Sequence, residues 1–293
     1  MNCIDQVVTD RYAAYHGDCV DVLKGLPEHS IGYSIFSPPF ASLYTYSNSP
    51  RDMGNVRDDA EFFEHFDYLI AELRRVMRPG RNISFHCMDM PASKERDGYI
   101  GLKDFRGDLI RAFQAQDFIY HSEVCIWKDP VTAMQRTKAL GLLHKSVRGN
   151  AAMCRQGIPD YLVTMRAPGE SERVTHGAEY PVELWQKVAS PVWMDINPSD
   201  TLQYQSAREH DDERHICPLQ LEVIRRGIML WTNPDDIVLS PFMGIGSEGH
   251  VAIELGRRFV GVELKASYFQ QAARNLATAH SKTLDLFSTD SVE

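Results

Sequence analysis

The chain lacks the patterns that mark several whole classes of protein. No apolar run approaches the roughly 18 residues that a membrane-spanning helix needs, and the residues up to Tyr15 include charged side chains instead of an apolar signal segment. The six cysteines form no C-x-x-C pair, which argues against a zinc site and against a disulfide framework. We therefore expect a cytoplasmic protein without a metal.

The overall charge excludes a further class. The 293 residues carry a formal charge of −9, with 43% hydrophobic and 24% charged side chains. The chain is thus too apolar to be disordered and too acidic to coat nucleic acid with its whole surface. One segment reverses this sign, because residues 128–166 contain seven basic side chains and two acidic ones. Such a segment is either a solvated surface or a site for phosphate groups.

Apolar segments alternate with helical patterns along the chain, which predicts an α/β sheet. Between residues 166 and 217, four prolines and a charged run predict loops and short strands. The predicted strands are 31–36, 82–87, 118–127, 161–165, 237–239 and 258–263, and the predicted helices include 62–76, 219–231, one ending near 256, and 267–279.

A glycine-rich loop lies between a predicted strand and a predicted helix in the last third. Residues 244–249, Gly-Ile-Gly-Ser-Glu-Gly, match the pattern G-x-G-x-x-G, in which glycines let the backbone approach a ligand. Glu263 ends the next strand, where it can accept hydrogen bonds from ribose hydroxyls. Few residues follow the loop, which favours a mononucleotide-sized ligand over a dinucleotide. A tight turn without a ligand is the alternative.

A second motif, Ser37-Pro38-Pro39-Phe40, follows the apolar run 31–36. Prolines remove backbone N–H donors, so this loop offers carbonyl acceptors to an amino group. Ser37 adds a hydroxyl, and Phe40 offers a face on which a flipped base can stack. The alternative is a surface proline turn.

Together, the two motifs resemble those of S-adenosylmethionine-dependent DNA amino-methyltransferases of the β class, in which the target-base motif precedes the cofactor motif. Within this class, the chain resembles solitary members of the phage or prophage type. The resemblance implies an α/β, Rossmann-like methyltransferase sheet with circularly permuted motif order and an inserted target-recognition region. It divides the chain into a target-base half (1–127), a basic insertion as candidate target-recognition region (128–214) and a cofactor-binding half (215–293).

The resemblance also implies which residues bind the cofactor S-adenosylmethionine. Three departures from the family pattern could reshape these contacts: Ser240 replaces an aspartate, Glu248 replaces a small residue, and Gln220 stands where lysine is frequent. The implied residues are Asp18, Cys19, His215, Pro218, Leu219, Gln220, Pro241, Phe242, Gly244, Gly246, Ser247 and Glu263.

Residues 37–40 are the implied catalytic set, which holds the target base while a methyl group passes in line to an exocyclic nitrogen. Carbon-5 cytosine chemistry instead needs a thiolate that usually follows a proline, and none of the six cysteines does. A serine-first motif leans toward cytosine N4, whereas residues 36–55 and 215–220 look like members that methylate adenine N6. We expect adenine, with cytosine N4 as the alternative.

The expected macromolecular partner is double-stranded DNA. Basic residues of segment 128–166 are candidates for phosphate and base contact. Residues after the target-base motif either line the entry for the flipped nucleotide or form a mobile lid. Family members are often dimers, so we expect a nucleoid-associated homodimer without nuclease activity. The candidate DNA-binding residues are Tyr44, Tyr46, Arg51, Lys128, Arg136, Lys138, Lys145, Arg148 and Arg155.

Three other functions remain open at the level of sequence. A nicotinamide-dependent oxidoreductase would use the glycine loop but would leave residues 37–40 unexplained. The same pocket chemistry could serve an amino group of RNA or of a protein. Ser240 and Glu248 also make a cofactor-binding but inactive DNA-binding protein conceivable.

Overall fold

The computed structural model describes residues 2–39, 53, 59–131, 142–174, 180–203 and 218–289. Within these ranges, nine strands form one mixed sheet and two further strands pair separately. The strands are β1 (Asp5–Val8), β2 (Tyr12–His16), β3 (Tyr33–Phe36), β4 (Asn82–Cys87), β5 (Met90–Ala92), β6 (Gly101–Lys103), β7 (Ile119–Ile126), β8 (Asp160–Arg166), β9 (Val192–Trp193), β10 (Ile237–Ser240) and β11 (Arg258–Glu263).

Helices connect most of these strands, as expected when neighbouring strands run parallel and need a crossover. A short 3₁₀ turn, Ala151–Met153, adds to them. The helices are α1 (Cys19–Lys24), α2 (Asp59–Val76), α3 (Lys94–Asp97), α4 (Phe105–Ala115), α5 (His144–Arg148), α6 (Val182–Ala189), α7 (Leu221–Trp231), α8 (Ser247–Glu254) and α9 (Ala266–Thr289).

The large sheet has the strand order β1-β2-β11-β10-β3-β4-β8-β7-β9. Its five middle strands, from β2 to β4, run parallel, and β8 is antiparallel to both of its neighbours. Every residue of β3 is buried. A strand covered on both faces buries every side chain in turn, which explains why residues 33–36 show no alternation of buried and exposed positions.

Two hydrophobic cores cover the two faces of the sheet. One core joins α1, α2 and α4 to the sheet and contains Phe62, Phe66, Phe85 and Phe113. The rings of Phe85 and Phe113 are stacked with their centroids 5.1 Å apart. The other core joins α6, α7, α8 and α9 to the opposite face. The sheet is therefore the middle layer of three.

The chain leaves two neighbouring strands in opposite directions. From β10 it passes through α8 to β11 on one side, and from β3 it passes through α2 to β4 on the other side. Register pairs Leu239 with Ser34, and the Ser34 hydroxyl donates to the Leu239 carbonyl at 2.9 Å. Such a switch point opens a crevice at the carboxyl ends of the two strands, where α/β proteins bind ligands.

The sheet confirms the predicted α/β, Rossmann-like architecture with permuted motif order. Strands 82–87 and 258–263 have the predicted bounds, whereas the last helix continues ten residues beyond the predicted 279, to Thr289. The prediction of only loops and short strands between 166 and 217 was wrong at α6, which begins directly after Pro181. A proline just before the first helical turn does not interrupt any helical hydrogen bond, so it does not prevent a helix.

Segment 128–214, predicted as an insertion, contributes β8 and β9 to the large sheet. Part of it is thus built into the same layer as the two motifs. Across the described ranges, no helix combines the length and the apolar character needed to cross a membrane.

Candidate active site

The two motifs face each other across the crevice between β3 and β10. Ser37, Pro38 and Pro39 directly follow β3, and the glycine loop begins after three further residues beyond β10. The rings of Phe36 and Phe242, at the two strand ends, lie 5.8 Å apart between centroids. The sheet therefore brings together two motifs that are about 200 residues apart in the chain.

The glycine loop is held in shape by the carboxylate of Glu263. The Gly244 backbone amide donates to Glu263 Oε2 at 2.9 Å, and the Lys265 amide donates to Oε1 at 2.8 Å. Gly244 has φ +53°, and a Cβ built on it would meet no atom within 4 Å. The loop thus presents backbone and an oriented carboxylate to open space, as a site for a sugar or phosphate does.

Buried polar atoms without hydrogen-bond partners lie within this loop, at the end of β10 before it, and at the residue that precedes α7. Among the described residues, no partner is found for Ser240 Oγ, Ser247 Oγ or Gln220 Oε1. Unpaired buried polar atoms cost free energy, so an arrangement of this kind points to a ligand or to water. Pro218 and Leu219 lead into α7 beside Gln220, with Leu219 buried.

Asp18 and Cys19 lie at the carboxyl end of β2, two strands away from β10. Asp18 caps the first turn of α1 by accepting a hydrogen bond from the Asp21 amide at 3.0 Å. Burial raises the pKa of the Cys19 thiol, so Cys19 behaves as a small apolar residue. The structure thus places the ends of β2, β10 and β11 along one edge of the sheet.

Glu248, in the first turn of α8, is 4% exposed. Burial raises the pKa of Glu248 to about 8, and the nearby Glu263 carboxylate contributes to this rise. Its side chain is therefore mostly protonated at neutral pH and adds little negative charge to the glycine loop.

On the β3 side, Ser37 belongs to a chain of polar contacts. Ser37 Oγ lies 3.2 Å from His86 Nδ1, and His86 Nε2 lies 2.9 Å from Asp160 Oδ2. The Lys128 ammonium contacts the same Asp160 oxygen. His86 is part of β4, and Asp160 begins the adjacent β8, so the sheet itself fixes this geometry.

Asp160 is 2% exposed. Burial alone would raise its pKa, but His86 and Lys128 outweigh burial and hold the pKa of Asp160 below its ordinary value. The carboxyl group is therefore an anion at neutral pH. Neither His86 nor Asp160 is among the site residues predicted from the sequence. A histidine inside the otherwise apolar or small run 82–87 was the available signal, but its partner is 74 residues away in the chain.

The structure separates the predicted DNA-binding residues into two groups. Lys145 and Arg148 are exposed on α5, whereas Arg155 donates to the Gly101 carbonyl at 3.1 Å and Lys128 contacts Asp160. Several predicted residues lie outside the described ranges: Phe40, Tyr44, Tyr46, Arg51, Arg136, Lys138 and His215. In the part of the chain that is described, no cluster of three or more histidine, cysteine or acidic side chains could hold a metal ion.

Known proteins match this chain over most of its length. DNA adenine methyltransferase YhdJ of Escherichia coli K12 is 24% identical over 270 residues, which cover 90% of this chain and 82% of that protein. A putative DNA modification methylase of Thermus thermophilus, TTHA0409, solved with S-adenosyl-L-methionine, superposes with a TM-score of 0.68 at 22% identity, covering 92% of this chain and 94% of that one. The cytosine-N4-specific PvuII DNA methyltransferase superposes with a TM-score of 0.66 at 17% identity, covering 97% of each chain.

The family profile N6_N4_Mtase, described as DNA methylase, matches residues 33–274. This range contains both motifs and every strand from β3 to β11, so the whole crevice lies within it. The chain therefore belongs to the family of N6- and N4-type DNA methylases.

Proposed function

We propose that this protein transfers a methyl group from S-adenosylmethionine to adenine N6 in double-stranded DNA. One observation carries the proposal: an acceptor loop without backbone N–H groups at Pro38 and Pro39 faces a glycine loop with an oriented carboxylate across one crevice. The first loop suits an amino group, and the second suits a nucleoside.

The residues around the glycine loop fit S-adenosylmethionine. Glu263, whose carboxylate is oriented by two backbone amides, is our candidate for the contact to the ribose hydroxyls. The unpaired Gln220 Oε1 and Ser247 Oγ offer polar partners for the amino acid part, and the open space at Gly244 admits the ligand next to the backbone. Asp18, at the end of β2, is our candidate for the adenine contact. When bound, the cofactor supplies an electrophilic methyl group on a sulfonium.

Ser37 and Pro38 act on the target base. The Ser37 oxygen and the carbonyls of the proline loop accept hydrogen bonds from the exocyclic amino group, which orients the nitrogen lone pair toward the incoming methyl group. A flipped base reaches this pocket only when it leaves the duplex. Lys145 and Arg148 on α5, both exposed, are our candidates for phosphate contacts that hold the duplex, and segment 128–214 is our candidate target-recognition region.

Adenine is favoured by the 24% identical adenine methyltransferase and by the resemblance of residues 36–55 and 215–220 to adenine N6 enzymes. Cytosine N4 is the second candidate, because the motif begins with Ser37 and not with aspartate. We also propose that the enzyme works as a homodimer on near-symmetric DNA sites. Sedimentation of the purified protein tests this last point, and a single monomeric species would contradict it.

Product analysis tests the reaction. The purified protein is incubated with duplex DNA and labelled S-adenosylmethionine, the DNA is digested to nucleosides, and the labelled product is identified by mass. We expect N6-methyladenine. N4-methylcytosine would overturn the choice of base but keep the reaction, and absence of a labelled nucleoside despite cofactor binding would overturn the reaction itself. Ser37→Ala should lower the rate by about tenfold or more while cofactor binding is unchanged.

A further inference from the structure

The contacts of the Ser37 side chain determine whether its hydroxyl donates or accepts a hydrogen bond, which the sequence motif alone does not. A serine hydroxyl can donate or accept a hydrogen bond, whereas a carboxylate only accepts. An amino group presents only hydrogens once its lone pair is directed at the methyl donor. Ser37 therefore helps the reaction only if its own hydroxyl hydrogen points elsewhere.

The partners of His86 fix the direction of that hydrogen. Asp160 is an anion and can only accept, so His86 Nε2 at 2.9 Å must be the donor. In a neutral imidazole, Nδ1 is then the acceptor. Ser37, whose Oγ lies 3.2 Å from Nδ1, must donate to it. The Lys128 ammonium contacts the same Asp160 oxygen, so the carboxylate has a cationic partner besides His86.

We propose that His86 is a positioning residue that takes up the hydroxyl hydrogen of Ser37, so that the Ser37 oxygen faces the target amino group only as an acceptor. Asp160 and Lys128 hold His86 in the required tautomer. This inference rests on the proposed function, since it assigns the network to the same amino-group pocket. It explains how a serine takes the place of an acceptor-only carboxylate at the first position of the motif.

A serine, a histidine and a buried aspartate in contact also suggest an acyl-transferring nucleophile. The next two residues argue against that chemistry here. Pro38 and Pro39 have no backbone N–H, and the residue after a serine nucleophile commonly supplies an N–H to the oxyanion. The loop can accept hydrogen bonds from an amino group but cannot donate from these two positions to an oxyanion.

Two isosteric variants separate positioning from a merely structural role. His86→Asn places an amide oxygen near the position of Nδ1 and can still accept from Ser37, whereas His86→Gln places an amide nitrogen near Nε2 and can still donate to Asp160. We expect His86→Gln to lower kcat by about tenfold or more with little change in KM for the cofactor, and His86→Asn to recover most of that loss. A structural role predicts the opposite order, and that result would overturn the proposal.

A double-mutant cycle tests the link to Ser37. Ser37→Asp supplies an acceptor that needs no orientation, so His86→Gln should cost less than about twofold in that background. An equal loss in both backgrounds would overturn the proposal. The matched control is Ser84→Ala, which removes a buried hydrogen bond of 2.8 Å to Thr164 between the same two strands. This control should leave kcat unchanged.

A spectroscopic measurement makes failure of this inference distinguishable from failure of the proposed function. Nitrogen-15 NMR of the wild-type protein without substrate reports the tautomer of each histidine, and His86→Asn identifies the signal of His86. We expect the proton on Nε2. A proton on Nδ1 overturns the positioning role whatever the methylation assay shows, and a wild-type protein that methylates no DNA overturns the proposed function whatever the tautomer.

Discussion

Two buried carboxyl groups of the site, Asp160 near Ser37 and Glu248 beside the glycine loop, differ in charge: the first is an anion and the second is neutral at neutral pH. Asp160 is 2% exposed and Glu248 is 4% exposed, so burial does not distinguish them. His86 and Lys128 hold the pKa of Asp160 down, whereas burial next to the Glu263 carboxylate raises the pKa of Glu248 to about 8. The identity of the neighbours therefore decides the charge: the carboxyl group near Ser37 is an anion, whereas the one beside the glycine loop is a neutral acid.

Removal of the Asp160 carboxylate should produce a large loss of stability. Asp160→Asn leaves Lys128 without its partner and should lower the free energy of unfolding by about 3 kcal/mol at neutral pH. Because the folded pKa of Asp160 is lowered, its stabilising contribution is present above its ordinary pKa and is lost on acidification. Urea unfolding measures both effects, and the variant should lose less stability than the wild type as the pH falls.

Asp104→Asn is the matched control for that variant. Asp104 forms an exposed ion pair with Arg111 and caps α4, and asparagine caps a helix equally well. We expect little change in the free energy of unfolding of Asp104→Asn. Equal losses in the two variants would mean that the neighbours of Asp160 do not stabilise its charge.

Replacement of Glu248 by an uncharged residue should stabilise the protein, in contrast to replacement of Asp160. Because the folded protein holds the Glu248 proton more tightly than the unfolded chain does, the free energy of unfolding falls as the pH rises from the ordinary pKa of a glutamate through about 8. Glu248→Gln should raise the free energy of unfolding by about 5 kcal/mol near pH 9 and change it little in acid, as measured by urea unfolding. Glu183→Gln, in the exposed first turn of α6, is the control. A variant that is no more stable than wild type near pH 9 would contradict the charge state of Glu248.

Two glycines distinguish ligand contact from packing within the cofactor half. A Cβ on Gly244 would enter open space, whereas a Cβ on Gly249 would lie 2.5 Å from Leu276 and Phe259. Gly244→Ala should weaken S-adenosylmethionine binding by about tenfold at a cost of about 1 kcal/mol of stability, because φ there is positive. Gly249→Ala should mainly lower stability, by about 2 kcal/mol. Calorimetric titration and thermal unfolding measure the two effects, and equal binding losses would contradict the distinction.

The smallest effect is expected for an exposed side chain of α5, in segment 128–214. Arg148→Glu should weaken DNA binding by about fivefold and reduce its salt dependence, since α5 exposes this side chain. Binding of a fluorescent duplex at several salt concentrations measures both, with Lys187→Glu on α6 as the control. Unchanged affinity would remove α5 from the DNA surface, and cofactor binding should not differ from the wild type.

The sequence predicted the two loops, because proline and glycine restrict or extend the backbone locally and both motifs follow apolar runs. The strand bounds at 82–87 and 258–263 were likewise predictable from short buried runs ended by turns. The contact between His86 and Asp160 was not predictable, since it depends on the pairing of β4 with β8, and strand register is a tertiary property. Helix α6 was missed because prolines in 166–217 were interpreted only as breakers, although a proline also precedes helices.

The strand order has a consequence for how the protein is made. Two inner strands of the sheet, β10 and β11, lie between β2 and β3 but come from the last third of the chain. During synthesis the earlier strands therefore expose two open edges, which must wait for their partners while the ribosome adds about 200 residues. Folding of this chain should depend on long-range contacts and be slow, and the acceptor loop gains its facing loop only after about 200 further residues have been synthesised.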